Sequence, residues 1–595
     1  MRSPTRDKRR APRASVGGLL PDHMGLSSSN PRYYWQRLGM FAVCVCVCVF
    51  FWMQYNVLTA GLLKVPTTGS GREQLTDAPS SEHLAHLRVP KIPSPTVGYQ
   101  GLEGEGGRPL GQLPPVHYDD VITPGIQEDR RFAVKTAMQF VWRNYEKYAF
   151  GADELGPLNG ARRENVWGNI SCSMVDAIDT LWIMNMKDEF YRARDYIAER
   201  LHFDHLGEKN TKISVFETII REVGGLLSAY SLSKDEVFKV KAKELMDLIV
   251  PAFDEKEGVF YTFLNPQTKK KSFAIWAQLR AHIADVGSLQ LETRYLSDIT
   301  GDPKYAAMGE AFYDIVRREG SYKGTGLFPT YFDSTTGEFD THSGSITIGA
   351  LADSFYEYLI KVYIYSGKRE KDASLRKLYD DAVAGMEKYL LKYSESVDLY
   401  YLQELHIPSM AGMQRMDHLL CFVPGMLALG TLHEKEDTEK NTRHLNLAKE
   451  LMETCYQMYH RQPTGLSPDL VTFPKMRVSD PKYRLRPETV ESLFYMYRVT
   501  KDEKYRRRGW EIFQSLEKHA KTEYGYGAIV DVTTLPAVVE DKMESFFLAE
   551  TLKYHYLLQA PEDVIPLDEY VFNTEAHPFR ILNKDDVQEA DMETA

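Results

Sequence analysis

Four short segments of this chain repeat one layout. KDEFY (Asp188, Tyr191), KDEVF (Asp235, Phe238), GDPKY (Asp302, Tyr305) and KDEKY (Asp502, Tyr505) each set an aromatic three residues after an Asp. Each is followed by a charged amphipathic helix such as KYRRRGWEIFQSLEKH. Asp is a favoured N-cap, so these read as the second helices of helical hairpins. Twelve to eighteen residues upstream of each turn a more apolar helix begins, and its start carries a carboxylate: Asp176 in SMVDAIDTLWIM, Glu217 in SVFETIIREVGGLLSAY, Asp285 in ADVGSLQLETRYL and Glu488 in LRPETVESLFYMYR. In the last of these, Val490, Leu493, Phe494 and Tyr497 fall at i, i+3, i+4 and i+7, the stripe a helix buries. Asp353 in LADSFYEYLIKVYIY, Asp417-His418 in MDHLLCFVPGMLALG and Glu544 in DKMESFFLAETLKYHYLL fit the same first-helix template with looser turns, which makes seven.

Recurring helical hairpins form either an open solenoid or a ring closed on itself. Tetratricopeptide-type solenoids repeat at a near-constant length of about 34 residues. Here the spacings are larger and irregular, and insertions follow the second helices. A closed all-α barrel tolerates that better, with the apolar first helices inside and the charged ones outside. Its inner helices run parallel, so their N-termini meet at one end and the carboxylates gather round one cavity. Length alone suggests about four domains, but the repeat joins most of the chain into one unit. A hydrophobic share of 43% over 595 residues can bury a large core, and a formal charge of −11 argues against nucleic acid as a partner.

From Leu38 to Leu63 there is no charged residue, and MFAVCVCVCVFFWM is apolar and long enough to cross a bilayer. Arg2, Arg6, Lys8, Arg9, Arg10, Arg13, Arg32 and Arg37 precede it against Asp7 and Asp22. The positive-inside rule then makes residues 1–37 a cytosolic tail, residues 38–63 a signal-anchor, and everything after them lumenal. A cleaved signal peptide fits less well, because the run is long and begins late. Residues 64–120 are rich in Pro, Gly and charge and suit a flexible stem. The globular part begins near Val121 and runs to 580, and residues 581–595 read as a disordered acidic tail without a usual lumenal retention signal. Three of six cysteines (Cys44, Cys46, Cys48) lie in the membrane run, and Cys172, Cys421 and Cys455 can form one disulfide at most. Cys421 and Cys455 lie in neighbouring expected helices and make the better pair, leaving Cys172 as a buried thiol. The sequon Asn169-Ile170-Ser171 opens an expected core helix, which disfavours a glycan there.

The helix dipole accounts for any one acid at a helix start. It does not account for Arg221 four residues after Glu217, Arg486 two before Glu488, or Phe546 two after Glu544. Carboxylates converging in one pocket repel, so the site must shift pKa values or recruit cations. Many acids, two arginines and aromatic platforms are what a carbohydrate site needs, and paired carboxylates flanking a glycosidic bond are the usual equipment for its hydrolysis.

VFETIIREVGGLLSAY, VGSLQLETRYLS, ADSFYEYL, LRPETVESLFYMYR, FFLAETLKY and VFNTEAHP, in that order across the globular part, resemble the signature blocks of the class I α-mannosidases, glycoside hydrolase family 47. The resemblance implies an (α/α)7 barrel, a type II membrane topology, and calcium-dependent removal of α1,2-linked mannose from oligomannose N-glycans with inversion. It implies Glu217 as the general acid and Asp353 and Glu488 as two candidates for the general base, with a gap of roughly 6.5–9.5 Å for the attacking water. Arg221, Glu292, His418, Arg486, Glu491, Phe546, Glu550 and Glu575 match positions lining the family's sugar subsite and cation surroundings. Thr574 matches the Ca2+ ligand, through its hydroxyl and carbonyl oxygens. A lone threonine is a poor calcium motif, since calcium takes several oxygens, and without the resemblance FNTEAHP reads as a turn. Cys421 and Cys455 match the family's disulfide and favour a processing enzyme over a degradation-pathway relative.

Two departures bear on branch preference and compartment. Leu351 resembles the Golgi-type enzymes, where the endoplasmic reticulum type tends to have arginine, while KMESFF and PETVESLFY look more like the latter; Asp469 stands where the family usually has Glu. The expectation is a monomeric catalytic domain, membrane-anchored in the endoplasmic reticulum or Golgi, that trims N-glycans of glycoproteins. Its rivals are a relative acting on misfolded glycoproteins and a non-catalytic helical-repeat lectin or scaffold.

Overall fold

A computed structural model describes residues 125–582 apart from 165, 279, 334–335 and 435–437. The expected cytosolic tail, membrane span and stem lie outside the described residues, as does the acidic tail beyond Leu582. Ile581 and Leu582, expected to begin that tail, still donate backbone N–H groups to Glu569 and Tyr365. No described helix is long and apolar enough to cross a membrane.

Seven helical staves form an inner ring among the described residues. They are Cys172–Ile183, residues 215–233, residues 283–300, Asp353–Tyr365, residues 419–432, Glu488–Thr500 and residues 547–559. Each packs against the next, and Phe547–Thr551 returns to Cys172–Ile183, which closes the ring. Lys187–Arg200, Glu236–Ile249, Lys304–Glu319, Ala373–Gly385, Thr438–His460 and Lys504–His519 each pack outside the stave that precedes them, and Ile126–Tyr148 covers Leu552–Gln559. The expected all-α barrel is thus observed. Composition explains which helix goes where: Cys172–Ile183 buries every residue but Trp182, whereas Lys187–Arg200 buries Phe190, Ala193 and Ile197 alone. A helix apolar all round belongs inside; a single stripe belongs outside.

The expected N-cap is found at Asp235, while Asp302 and Asp502 stand one residue before the N-caps of their helices, Pro303 and Glu503. Asp235, Asp302 and Asp502 accept the backbone N–H of Val237, Lys304 and Lys504 at 3.1, 3.1 and 3.0 Å. Asp188 instead lies inside its helix, which starts at Lys187. The buried Met186 anchors that start, its carbonyl accepting the Phe190 N–H at 2.9 Å.

The reading as purely helical missed eight small antiparallel sheets among the described residues, such as Leu391–Ser394 paired with Leu399–Leu402. Strands of two to four residues are too short for alternation to register. One of these hairpins, Tyr570–Phe572 with Pro578–Arg580, enters the ring and packs on Asp353–Tyr365 and Gly224–Ser233. A Cβ at Gly224 would stand 2.8 Å from Asn573 Nδ2, and one at Gly225 would stand 2.4 Å from the Val175 carbonyl oxygen. The glycine pair therefore lets the second stave approach both the hairpin and the first stave.

The Cys421–Cys455 disulfide is present and ties the fifth stave to Thr438–His460, while Cys172 is a buried free thiol. Asn169 of the sequon is half-buried, and its backbone N–H donates to Asp153 Oδ2 at 2.9 Å.

Candidate active site

The N-terminal ends of the staves face one end of the ring, and a cavity of about 470 Å³ opens there. Glu217 and Arg221 come to it from the second stave, Asp285 from the third, Asp353 and Glu357 from the fourth, Glu488 and Glu491 from the sixth, and Phe546 and Glu550 from the seventh and the turn before it. Thr574 and Glu575 reach it from the tip of the inserted hairpin. Two staves pass through single π-helical turns here, Thr218–Val223 carrying Arg221 and Phe547–Thr551 carrying Glu550. Such turns widen a helix locally and recur at functional sites.

The arginines are fixed by acids. Arg221 Nε donates to Glu217 Oε2 at 2.8 Å, and its Nη1 donates to Glu575 Oε1. The guanidinium carbon lies 5.3 Å from the Trp167 ring and 5.6 Å from the Phe546 ring. Burial alone would lower the pKa of Arg221, but Glu575, Glu217 and Asp176 together hold it protonated. Arg486 donates to Asp469 Oδ1 at 2.7 Å and Arg484 to Asp469 Oδ2 at 2.8 Å. An Asp at 469 therefore spans both guanidinium groups despite its shorter side chain.

The acids outnumber the cations. Burial, with Asp417, Glu357 and Glu488 nearby, pushes Asp353 up to about 8. Burial raises Glu491 to about 8 as well, against the pull of Lys361. Glu550 and Glu575 are pushed well above the usual carboxylate range, first by burial and then by their acidic neighbours. Lys361 donates to Glu357 Oε1 and stands 3.8 Å from Glu491 Oε1.

Two of the expected site residues stand one layer behind the wall. His418 Nδ1 lies 2.7 Å from Glu488 Oε2, and its Nε2 lies 2.7 Å from the Tyr459 hydroxyl. Glu292 Oε1 accepts from the Tyr358 hydroxyl and from Asn573 Nδ2, each at 2.7 Å, and burial pushes its carboxyl up to about 7. These two act on the cavity through Glu488 and the hairpin. Three acids expected at stave starts also stay off the wall: Asp176 is wholly buried behind Arg221, Asp417 accepts the backbone N–H groups of Ala350 and Leu420, and Glu544 pairs with Lys542.

Residues 137–581 match the model of glycosyl hydrolase family 47. The chain belongs to that family. It is 41% identical over 567 residues to a mannosyl-oligosaccharide 1,2-alpha-mannosidase of Arabidopsis thaliana, covering 94% of each chain. It is 40% identical over 482 residues to the endoplasmic reticulum mannosyl-oligosaccharide 1,2-alpha-mannosidase of Homo sapiens, covering 79% of this chain and 66% of that one. Among solved structures, an alpha-1,2-mannosidase from Trichoderma reesei superposes with a TM-score of 0.70 at 29% identity, covering 76% of this chain and 99% of the other. Family 47 membership makes this chain a glycoside hydrolase.

Several cavity residues of this family 47 chain escaped the sequence reading. Trp167, Phe216, Phe263 and Trp276 line the wall, and Trp276 stacks on His282 with ring centroids 4.6 Å apart. Trp167, Phe263 and Trp276 sit in or near the short strands and loops, away from the stave pattern that revealed the acids, while Phe216 stands in the second stave directly before Glu217. Leu351, two residues before Asp353, presents an apolar side to the same cavity in a left-handed backbone conformation (φ 74°).

Proposed function

We propose that this chain is an inverting, calcium-dependent α-1,2-mannosidase that trims terminal α1,2-linked mannose from oligomannose N-glycans. The observation that carries this is the meeting of Glu217, Asp353 and Glu488 in one cavity walled by aromatic rings and closed by Thr574 and Glu575. Glu217, oriented by Arg221, gives its proton to the glycosidic oxygen as the bond to the anomeric carbon breaks. A carboxylate elsewhere on the wall takes a proton from the attacking water. The ring order favours Glu488 as that base, because the second and sixth staves are three steps apart in a ring of seven, nearly opposite, whereas Asp353 on the fourth is two steps away. His418 aims Glu488 and gives its carboxylate a donor.

Thr574 shares its cavity with the carboxylates of Glu217, Asp353, Glu357, Glu488, Glu491, Glu550 and Glu575, oxygen groups of the kind that suit a hard cation such as Ca2+, and the surplus of buried acids calls for positive charge. No cluster of three His, Cys, Asp or Glu side chains among the described residues could hold an ion directly. Thr574 would hold it through hydroxyl and carbonyl oxygens, with water and sugar hydroxyls completing the shell. When bound, the ion would orient the mannose ring and offset the clustered negative charge. The uncharged run 38–63 supports a type II anchor with this domain in the lumen of the endoplasmic reticulum or Golgi.

Incubation of the protein with a nine-mannose glycan, with and without a calcium chelator, tests the reading. Chelator-sensitive release of β-mannose, read by NMR of the fresh product, is expected. No release would favour a lectin, and release of α-mannose would exclude inversion.

A further inference from the structure

Behind the cavity floor, charged groups of alternating sign stand in one line of contacts. Lys553 Nζ lies 2.9 Å from Asp179 Oδ1, and Asp179 Oδ2 lies 2.9 Å from His577 Nδ1. His577 Nε2 lies 3.1 Å from Asp176 Oδ1, and Asp176 Oδ2 lies 3.7 Å from Arg221 Nη1. Arg221 Nε then donates to Glu217. Lys553, Asp179, His577 and Asp176 have no solvent exposure at all.

An imidazole with a carboxylate on each ring nitrogen must donate through both, which the imidazolium alone does. Burial and, less strongly, the Lys553 ammonium oppose that charge, but Asp179 and Asp176 outweigh them and raise the pKa of His577. The other titratable groups around this line include Glu222, Cys172, Glu292 and Glu575; burial raises all four, Glu292 to about 7, and any charge Glu292 carries near neutrality favours the imidazolium further. The fold also leaves room for this one ring: Cβ atoms at Gly224 and Gly225 would stand 3.0 and 3.4 Å from its Cδ2 and Cε1. The backbone N–H of His577 donates to Asn573 Oδ1 at 2.8 Å, as does that of Glu575, so the same residue braces the hairpin tip.

We infer that His577 is a positioning residue: standing as a cation between Asp179 and Asp176, it holds Asp176 against Arg221 and thereby fixes the guanidinium that orients Glu217. The inference deepens the proposed function and rests on Glu217 being the acid. Two kinds of measurement on the full chain test it. In the first, kcat and KM for mannose release are compared for the unaltered protein, His577→Gln, Arg221→Lys and the double variant. His577→Gln should lower kcat by on the order of 100-fold with KM nearly unchanged, as for a misplaced catalytic group. In the Arg221→Lys background the same substitution should cost less than about threefold, because both act through one contact. An unchanged kcat, or losses that multiply, overturns the inference.

The second measurement does not depend on turnover or on a variant that folds. Proton NMR of the unaltered chain near pH 7.5 should show two solvent-protected ring N–H protons on one histidine. One such proton in place of two overturns the charged bridge. If the unaltered chain releases no mannose, the functional reading fails while this charge state is still decided.

Discussion

His418 and Glu488, 70 residues apart in the chain, meet at 2.7 Å between Nδ1 and Oε2. The Tyr459 and Thr489 hydroxyls stand 2.7 and 3.1 Å from the other ring nitrogen. Hydroxyl donors on Nε2 leave the ring proton on Nδ1, pointing at the carboxylate. The sixth stave thus presents an acid whose carboxylate is held by the residue that leads into the fifth.

Removing that brace should slow the reaction without unfolding the barrel. His418→Ala is expected to lower kcat by about 10–100-fold, the cost of letting a catalytic carboxylate drift by an ångström. Steady-state kinetics beside a far-ultraviolet spectrum check it. Normal turnover in a folded variant would move the base from Glu488 to Asp353.

Glu217→Gln keeps the contact with Arg221 and removes the proton. Loss of a general acid costs about 10²–10⁴ in rate. Glycan affinity, measured by calorimetry on the nine-mannose ligand, should change by less than tenfold. Near-normal turnover would strip Glu217 of the acid role.

Calcium should stabilise this protein more in alkali than in acid. Asp353 and Glu491 are held at about 8 in the fold, against about 4 in an unfolded chain. Folding that raises an acid's pKa gives stability that is complete below the unfolded value and is lost as pH climbs through the folded one. The calcium-free protein should therefore melt at progressively lower temperature from about pH 4 to about pH 8. Added calcium should recover more at pH 8 than at pH 5, where these groups still hold their protons. Melting curves at both pH values, with and without the ion, read this directly; an equal gain at both would show that the ion does not offset these acids.

Cutting the Cys421–Cys455 link should cost stability more than chemistry. The bridge spans 34 residues, and closing a loop of that length is worth about 3–4 kcal/mol on the chain-entropy model. Both cysteines lie behind the cavity wall. The Cys421→Ser/Cys455→Ser protein should unfold at lower denaturant concentration while its kcat at 25 °C stays within about twofold, the usual result for a change remote from the reacting groups.

The barrel was legible because its signal is long-range and repetitive: a stave such as Glu488–Thr500 carries its acid, its apolar stripe and its turn within one window. Glu217, Asp353 and Glu488 could be found from that pattern, since each sits in the first turn of a stave. Thr574 and Glu575 could not, because a three-residue strand beside FNTEAHP has no periodicity, and their position depends on the hairpin threading a ring assembled from distant segments. Trp276 was hidden for a related reason, as it lies on a loop outside any periodic segment and meets His282 only in the folded chain. The pattern also overreached: Asp176, Asp417 and Glu544 begin staves as the others do, yet their side chains serve an arginine, two backbone amides and a lysine.

The inserted hairpin has a consequence for how the protein is made. Glu217 leaves the ribosome early, but the strands that bring Thr574 and Glu575 to it end at Arg580. A newborn chain halted before Thr574 would carry Glu217, Asp353 and Glu488 without the two residues that the hairpin tip adds to their cavity. The cavity is therefore completed by the segment that is synthesised after all seven staves.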